Sequence, residues 1–150
     1  FDAIREAAGN DWGYWPCSTV STPVWAEGGI GLIGDAAHAM LPFQAQGAVM
    51  AIEDAAVLAP LLMSEADAGS ALQRYAALRR PRVERVRRIS SSNGIAFHLE
   101  WPFTLARNAV VKLQGPRGHL KRLSWLYGYD AASAPGAVPA PPRQPRQDVH

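Results

Sequence analysis

Residues 29–59 read G-I-G-L-I-G-D-A-A-H-A-M-L-P-F-Q-A-Q-G-A-V-M-A-I-E-D-A-A-V-L-A. The apolar run from Ile30 to Ile33 stops at Gly34-Asp35. A short irregular stretch with Pro42 and Gln46-Gly47 follows, and then an Ala-rich amphipathic helix begins. Strand, acidic turn, glycine and helix N-terminus form a layout suited to a large, anionic, hydroxyl-rich ligand. The Asp35 carboxylate can accept hydrogen bonds from sugar hydroxyls. The free N–H groups at the helix start can face negative charge.

Working outward, Ile30 to Ile33 reads as a short buried strand. Its apolar character on both faces suggests a parallel strand covered on two sides. The helix is expected from about Gly47 to Leu62, with Val49, Ile52, Ala56 and Ala59 as its apolar stripe. Glu53 and Asp54 read as solvated or partner-facing. After a loop over 64–69, a second helix is expected from about Ser70 to Ser91, with a stripe of Leu72, Tyr75, Ala76, Val83, Val86 and Ile89. Its arginines, Arg79, Arg80, Arg82, Arg85, Arg87 and Arg88, read as a solvated face. Pro81 predicts a kink, since it lacks an N–H and its ring meets the carbonyl of Ala77. Asn93-Gly94 reads as a helix stop.

Upstream, residues 1–9 look like the end of a helix with Ile4 and Ala8 on one face. Trp12 to Val20 is aromatic and β-branched and reads as extended, with Pro16 marking an edge or broken strand. Downstream, Phe103 to Leu113 predicts a short helix, Gly115-Pro116 a break, and Leu120 to Tyr127 another turn or two anchored by Leu123, Trp125, Leu126 and Tyr127. From Ala131 the composition turns to Ala, Pro, Arg and Gln. Such a segment buries too little apolar surface to offset its ordering entropy, so 131–150 is expected to be disordered.

The chain of 150 residues carries its charge unevenly. Residues 1–70 hold one base against nine acids, and residues 71–150 hold fourteen bases against four acids. Three readings stand: nucleic-acid or membrane binding, mutual attraction of two segments of one fold, or an acidic partner segment for the Arg helix. No interleaved aromatic–basic platform supports nucleic acid, and no uninterrupted run of about 18 apolar residues predicts a membrane span. The single cysteine, Cys17, has no internal partner, which fits a reducing, cytoplasmic compartment. It reads as a small buried hydrophobe rather than a catalytic thiol. His38, His98, His119 and His150 are scattered, so no metal site is expected. No Ser–His–Asp triad or paired-carboxylate arrangement emerges, and no catalytic residue is assigned.

The block 29–59 resembles the second FAD fingerprint of the class A flavoprotein monooxygenases, the family of salicylate and para-hydroxybenzoate hydroxylases. The matching residues are Gly34, Asp35, Ala36, Ala37, His38, Pro42, Ala45, Gln46, Gly47, Glu53, Asp54, Ala55 and Leu58, with Ala45 standing where many members have Gly. Further likeness runs through residues 72–83 and the closing W-L-Y-G-Y-D at 125–130.

The resemblance implies an α/β fold of the FAD/NAD(P)-binding, para-hydroxybenzoate hydroxylase-like type for the whole enzyme, with this portion mostly α-helical plus a few short strands. It implies four sections: 1–25 as the end of a substrate-domain-like segment, 26–62 as the FAD-binding strand, G-D loop and helix, 63–130 as a C-terminal helical region, and 131–150 as the tail. It implies FAD held by Gly34, Asp35, Pro42, Ala45, Gln46, Gly47 and Ala48, with Asp35 on the ribityl chain and the helix start aimed at the flavin ring. His38 is expected to have a structural hydrogen-bonding role. The reaction implied is reduction of the flavin by NADH or NADPH, then dioxygen, then hydroxylation of a small aromatic-type substrate through a flavin hydroperoxide, with Trp12, Tyr14 and Trp15 as candidate neighbours of the substrate. No G-x-G-x-x-G turn is present; Gly28-Gly29 with Gly31 lacks the third glycine. The chain is therefore expected to be the C-terminal portion of a longer enzyme whose remaining N-terminal part holds the ADP half of FAD. The alternatives are a flavin oxidase or dehydrogenase on the same fold, and a catalytically silent fragment with an interaction or regulatory role.

Overall fold

The computed structural model describes residues 2–9, 13, 15–133, 136 and 138. Five helices, α1 (Asp2–Ala8), α2 (Asp35–His38), α3 (Gly47–Ser64), α4 (Ala68–Phe97) and α5 (Phe103–Tyr127), dominate it. The described strands are β1 (Ala26–Glu27) and β2 (Ile30–Gly31), and the portion is mostly helical as expected. They pair antiparallel, Ala26 opposite Gly31 and Glu27 opposite Ile30, around the turn at Gly28-Gly29. The parallel strand expected over Ile30 to Ile33 is thus a two-residue hairpin arm, and Ile30 and Ile33 are exposed. No strand forms among the described residues of 12–20, where Val20 N–H donates to the Ala39 carbonyl at 2.9 Å. Trp12 and Tyr14 lie outside the described residues. Cys17 is exposed, contrary to the buried reading, and Ile4 of α1 is exposed as well.

The core lies between α3 and α4. Trp25, Ala37, Met50, Val57, Leu61, Ala71, Tyr75, Val83 and Val86 are buried together. On α3 the inward stripe is Met50, Glu53, Asp54, Val57, Pro60 and Leu61. The stripe expected from sequence, Val49, Ile52, Ala56 and Ala59, faces outward, and Ile52 is 69% exposed. The reason is electrostatic: Glu53 and Asp54 are neutralised by arginines and so belong inside. By length and a mean hydropathy of 1.5, α3 is apolar enough to cross a membrane. One face of it packs against α4 and carries two paired acids, and the other is exposed.

Helix α4 begins where the Asp67 side chain accepts from the Ser70 N–H at 2.9 Å, an N-cap. It then runs 30 residues, past both the expected kink and the expected stop. Pro81 sits inside it, and the helix continues on both sides of the proline. Gly94 does not end it. A Cβ there would come within 2.7 Å of the Phe43 ring, so the glycine admits a close approach. Leu72, Tyr75, Val83 and Val86 are buried as expected, and so are Arg79 and Arg82, which are not a solvated face. Residues 26–62 and 63–97 therefore share one core.

Helix α5 breaks at Gly115 (φ 59, ψ 175), ahead of Pro116. Of its expected anchors Leu126 is buried, Leu123 and Trp125 pack against the core, and Tyr127 is exposed. Beyond it Ala131–Ser133 form a 3₁₀ turn. Ala131 is buried, Val138 packs on the core, and the Gly136 carbonyl accepts from Arg74 at 3.1 Å. This part of the expected disordered tail is packed. Residues 134–135, 137 and 139–150 of it lie outside the described residues.

Candidate flavin loop and its buried support

The turn after β2 is built on Gly34. Its φ of 56° and ψ of −138° belong to a region that side chains rarely tolerate. A Cβ on Gly34 would lie 3.3 Å from the Ala51 methyl of α3, so the turn is seated against that helix. Asp35 follows as the first residue of α2, exposed. No side chain caps α2, and among the described residues the Asp35 carboxylate accepts no hydrogen bond. The capping role that a turn aspartate often fills is therefore not its role here.

The next segment is fixed from below by α4. Ser90 Oγ donates to the Leu41 carbonyl at 2.7 Å, and Asn93 Nδ2 donates to Gln44 Oε1. Phe43 packs its ring edge on Phe97 and His98. Pro42 opens a 3₁₀ turn over Pro42–Gln44 and is itself exposed. Ala45 ends that turn in the left-handed region at φ 51, which is why a glycine suits the position. Gln46 then starts α3. It is buried, yet among the described residues its Oε1 has no hydrogen-bond partner. No side chain caps α3, so the amides of Gly47, Ala48 and Val49 are those a helix leaves unanswered. Gly47 has open space at its Cβ position. Gly34 and Asp35 thus sit on one loop seated on α3, and Pro42, Ala45, Gln46, Gly47 and Ala48 lead continuously into the start of that helix.

Beneath this surface lies a charge cluster that sequence reasoning missed. Asp54 Oδ2 accepts from the Gly34 N–H at 3.0 Å and from His38 Nε2 at 2.6 Å. Asp54 Oδ1 accepts from Arg79 Nε at 2.8 Å. Arg79 Nη1 donates to Glu53 Oε2 at 2.7 Å, and Arg82 Nη2 donates to Glu53 Oε1 at 3.0 Å. Arg82 also reaches the Trp125 and Leu126 carbonyls at 3.2 and 3.0 Å. Its guanidinium lies 4.1 Å from the centre of the Tyr129 ring. Asp54 and Arg79 are each 0% exposed.

Burial pushes the Asp54 carboxyl up, but hydrogen bonds from His38, Arg79 and Gly34 outweigh it and hold it below the ordinary carboxylate range. Burial likewise lowers Arg79, and its bonds to Asp54 and Glu53 more than restore it. Burial, with the Asp54 charge beside it, raises the Tyr75 phenol, whose hydroxyl donates to the Leu32 carbonyl at 3.2 Å. His38 has the structural hydrogen bond expected of it, and its ring packs on Trp25 at 5.3 Å. Its Nε2 faces a carboxylate, which can only accept, and so donates to it, while Nδ1 is buried without a partner among the described residues. The signal available beforehand was the charge asymmetry of the two halves, of which segment attraction is the reading realised. Among the described residues no group of three His, Cys, Asp or Glu side chains gathers as a metal site would.

The FAD binding domain family matches residues 8–90. A 3-amino-4-hydroxybenzoate 2-monooxygenase of Streptomyces platensis is 46% identical over 110 residues, covering 72% of this chain and 27% of that protein. The 3-hydroxybenzoate 6-hydroxylase 1 of Aquipseudomonas alcaligenes is 38% identical over 122 residues, covering 80% and 31%. A salicylate hydroxylase of Pseudomonas putida is 40% identical over 112 residues, covering 72% and 25%. A solved salicylate hydroxylase substrate complex superposes with a TM-score of 0.59 at 32% identity, over 81% of this chain and 30% of that one. The chain spans under a third of the length of each of these relatives.

Proposed function

The chain belongs to the FAD-binding family of class A flavoprotein monooxygenases, and from that premise we propose that it supplies the riboflavin-side wall of an aromatic hydroxylase. One observation carries the assignment. Asp35 stands exposed, and without a partner among the described residues, on a turn whose backbone is locked from inside by buried bonds. A carboxylate held this way is free to accept from the ribityl hydroxyls without reorganising. The uncapped start of α3 acts as a fraction of a positive charge. It suits the pyrimidine end of the isoalloxazine ring, where the reduced cofactor is anionic. Gly47 lets the backbone come close, Pro42, Ala45 and Ala48 present small surfaces to the ring, and Gln46 Oε1 is a buried acceptor that an N–H donor would satisfy.

The donor set therefore fits FAD. Bound FAD would supply the redox chemistry by which NADH or NADPH and dioxygen hydroxylate a small aromatic-type substrate. The chain's own share is to orient the ring, hold its sugar chain and balance charge at the helix start. The lone cysteine supports a cytoplasmic setting.

The test is Asp35→Ala in the flavin-loaded protein that carries this chain. Charge-assisted hydrogen bonds of roughly 1.5–3 kcal/mol each predict a ten- to hundredfold loss of FAD affinity, with NAD(P)H oxidation recovered at saturating FAD. A variant that retains its full flavin complement through dilution would remove Asp35 from the cofactor site.

A further inference from the structure

The flavin loop has little backbone scaffolding of its own: β2 is two residues long, and after Leu32, whose N–H donates to the Trp25 carbonyl, and Ile33, the chain turns at Gly34. What fixes the turn is a side chain from another element. Three donors converge on Asp54, the Gly34 N–H and His38 Nε2 on one oxygen and Arg79 Nε on the other. Two carboxylates, Glu53 and Asp54, are matched by two guanidiniums, Arg79 and Arg82, so the cluster is neutral when His38 is neutral. We propose that Asp54, clamped by Arg79, is the positioning residue of the flavin loop. It acts through Gly34 and His38 to aim the Asp35 carboxylate at the cofactor. The proposal rests on the flavin reading above.

Chemistry explains why a carboxylate is needed. Both oxygens accept, and one accepts twice. An asparagine offers one acceptor oxygen and turns an NH₂ group toward a donor, so either Gly34 and His38 or Arg79 loses its partner. Glu53 provides an internal comparison. It shares Arg79 and pairs with Arg82, but among the described residues it accepts no hydrogen bond from the loop. A variant there disturbs the same buried cluster without releasing Gly34.

The experiment compares Asp54→Asn, Glu53→Gln, Asp35→Asn and the Asp35/Asp54 double variant in the flavin-loaded protein. FAD is removed and titrated back by fluorescence quenching, and thermal midpoints are recorded alongside. Positioning predicts that Asp54→Asn weakens FAD at least about tenfold while Glu53→Gln weakens it less than about threefold, although both lower the midpoint. It also predicts non-additivity: once Asp35 is Asn, removing the Asp54 charge costs less than about threefold more. If affinity simply tracks the midpoint across the variants, or if the double variant shows the full product of the single losses, Asp54 supports the fold and does not aim Asp35. If Asp35→Asn binds FAD normally, the flavin reading itself falls and takes this proposal with it. Should Asp54→Asn fail to fold, Asp54→Leu with Arg79→Met removes both charges together, an exchange that buried pairs often tolerate. That pair must show the same loss of FAD at a retained midpoint.

Discussion

Ala45 shows how one dihedral angle connects sequence to stability. It sits at φ 51 and is exposed, so its methyl gains little packing to offset the left-handed backbone, which costs an L-residue roughly 1–2 kcal/mol. Ala45→Gly relieves that strain but also loosens the unfolded chain, leaving an expected net gain of up to about 1 kcal/mol. Urea unfolding of the two forms at one pH measures it, and a lower midpoint for the glycine variant would refute the strain argument. Gly34 is the opposite case. Gly34→Ala would place a methyl at φ 56 and 3.3 Å from Ala51, so the same measurement should show a loss of at least about 1 kcal/mol. Both positions were legible in sequence as a turn and a loop into a helix. Their dihedral signs were not, because those follow from where α3 and α4 hold the loop.

At the scale of elements, α3 was placed correctly in the chain and turned to the wrong face. Its Ala-rich composition offers nearly equal apolar stripes on two sides, and Glu53 and Asp54 decide between them. Read alone, two adjacent acids belong in water. Their partners, Arg79 and Arg82, lie 25 to 29 residues away, beyond any helical spacing, so only the charge imbalance between the halves hinted at the pairing. The same contacts explain why Arg79 and Arg82 leave the solvent while Arg80, Arg85 and Arg88 remain exposed. Acid should therefore loosen this helix pair. The folded-state pKa of Asp54 lies below the ordinary carboxylate range, so its bonds contribute stability fully above that range. The contribution is lost as the pH falls through the depressed folded value. Denaturant midpoints measured from neutral pH down through the carboxylate range should fall, and part of the slope should vanish in Asp54→Asn. An identical acid slope in the variant would show that other carboxylates carry it.

For the molecule as a whole, the question is what the core includes. Helix periodicity made the α4 side of the core foreseeable and not the α3 side; the closing piece was not foreseeable either, because a run rich in Ala and Pro gives no periodic signal to place. That piece is the stretch after α5. Ala131 is buried, Val138 packs beside it, and Arg74 reaches the Gly136 carbonyl at 3.1 Å while also pairing with Glu65 at 2.6 Å. Arg82 draws the end of α5 inward through the Trp125 and Leu126 carbonyls, and that brings the following residues to the core edge. Truncation after Asp130 removes the contacts of Ala131, Gly136 and Val138. Burying roughly one small and one medium apolar side chain is worth about 1–2 kcal/mol, and the exposed Arg74 bond to the Gly136 carbonyl adds little. In a chain of this size that corresponds to a fall of about 3–8 °C in thermal midpoint. Truncation after Val138 keeps every described contact and should stay within about 1–2 °C of the full chain. Comparing the three lengths by thermal unfolding at one pH decides the matter. Equal midpoints for the cuts after Asp130 and after Val138 would mean that residues 131–138 lie on the core without stabilising it.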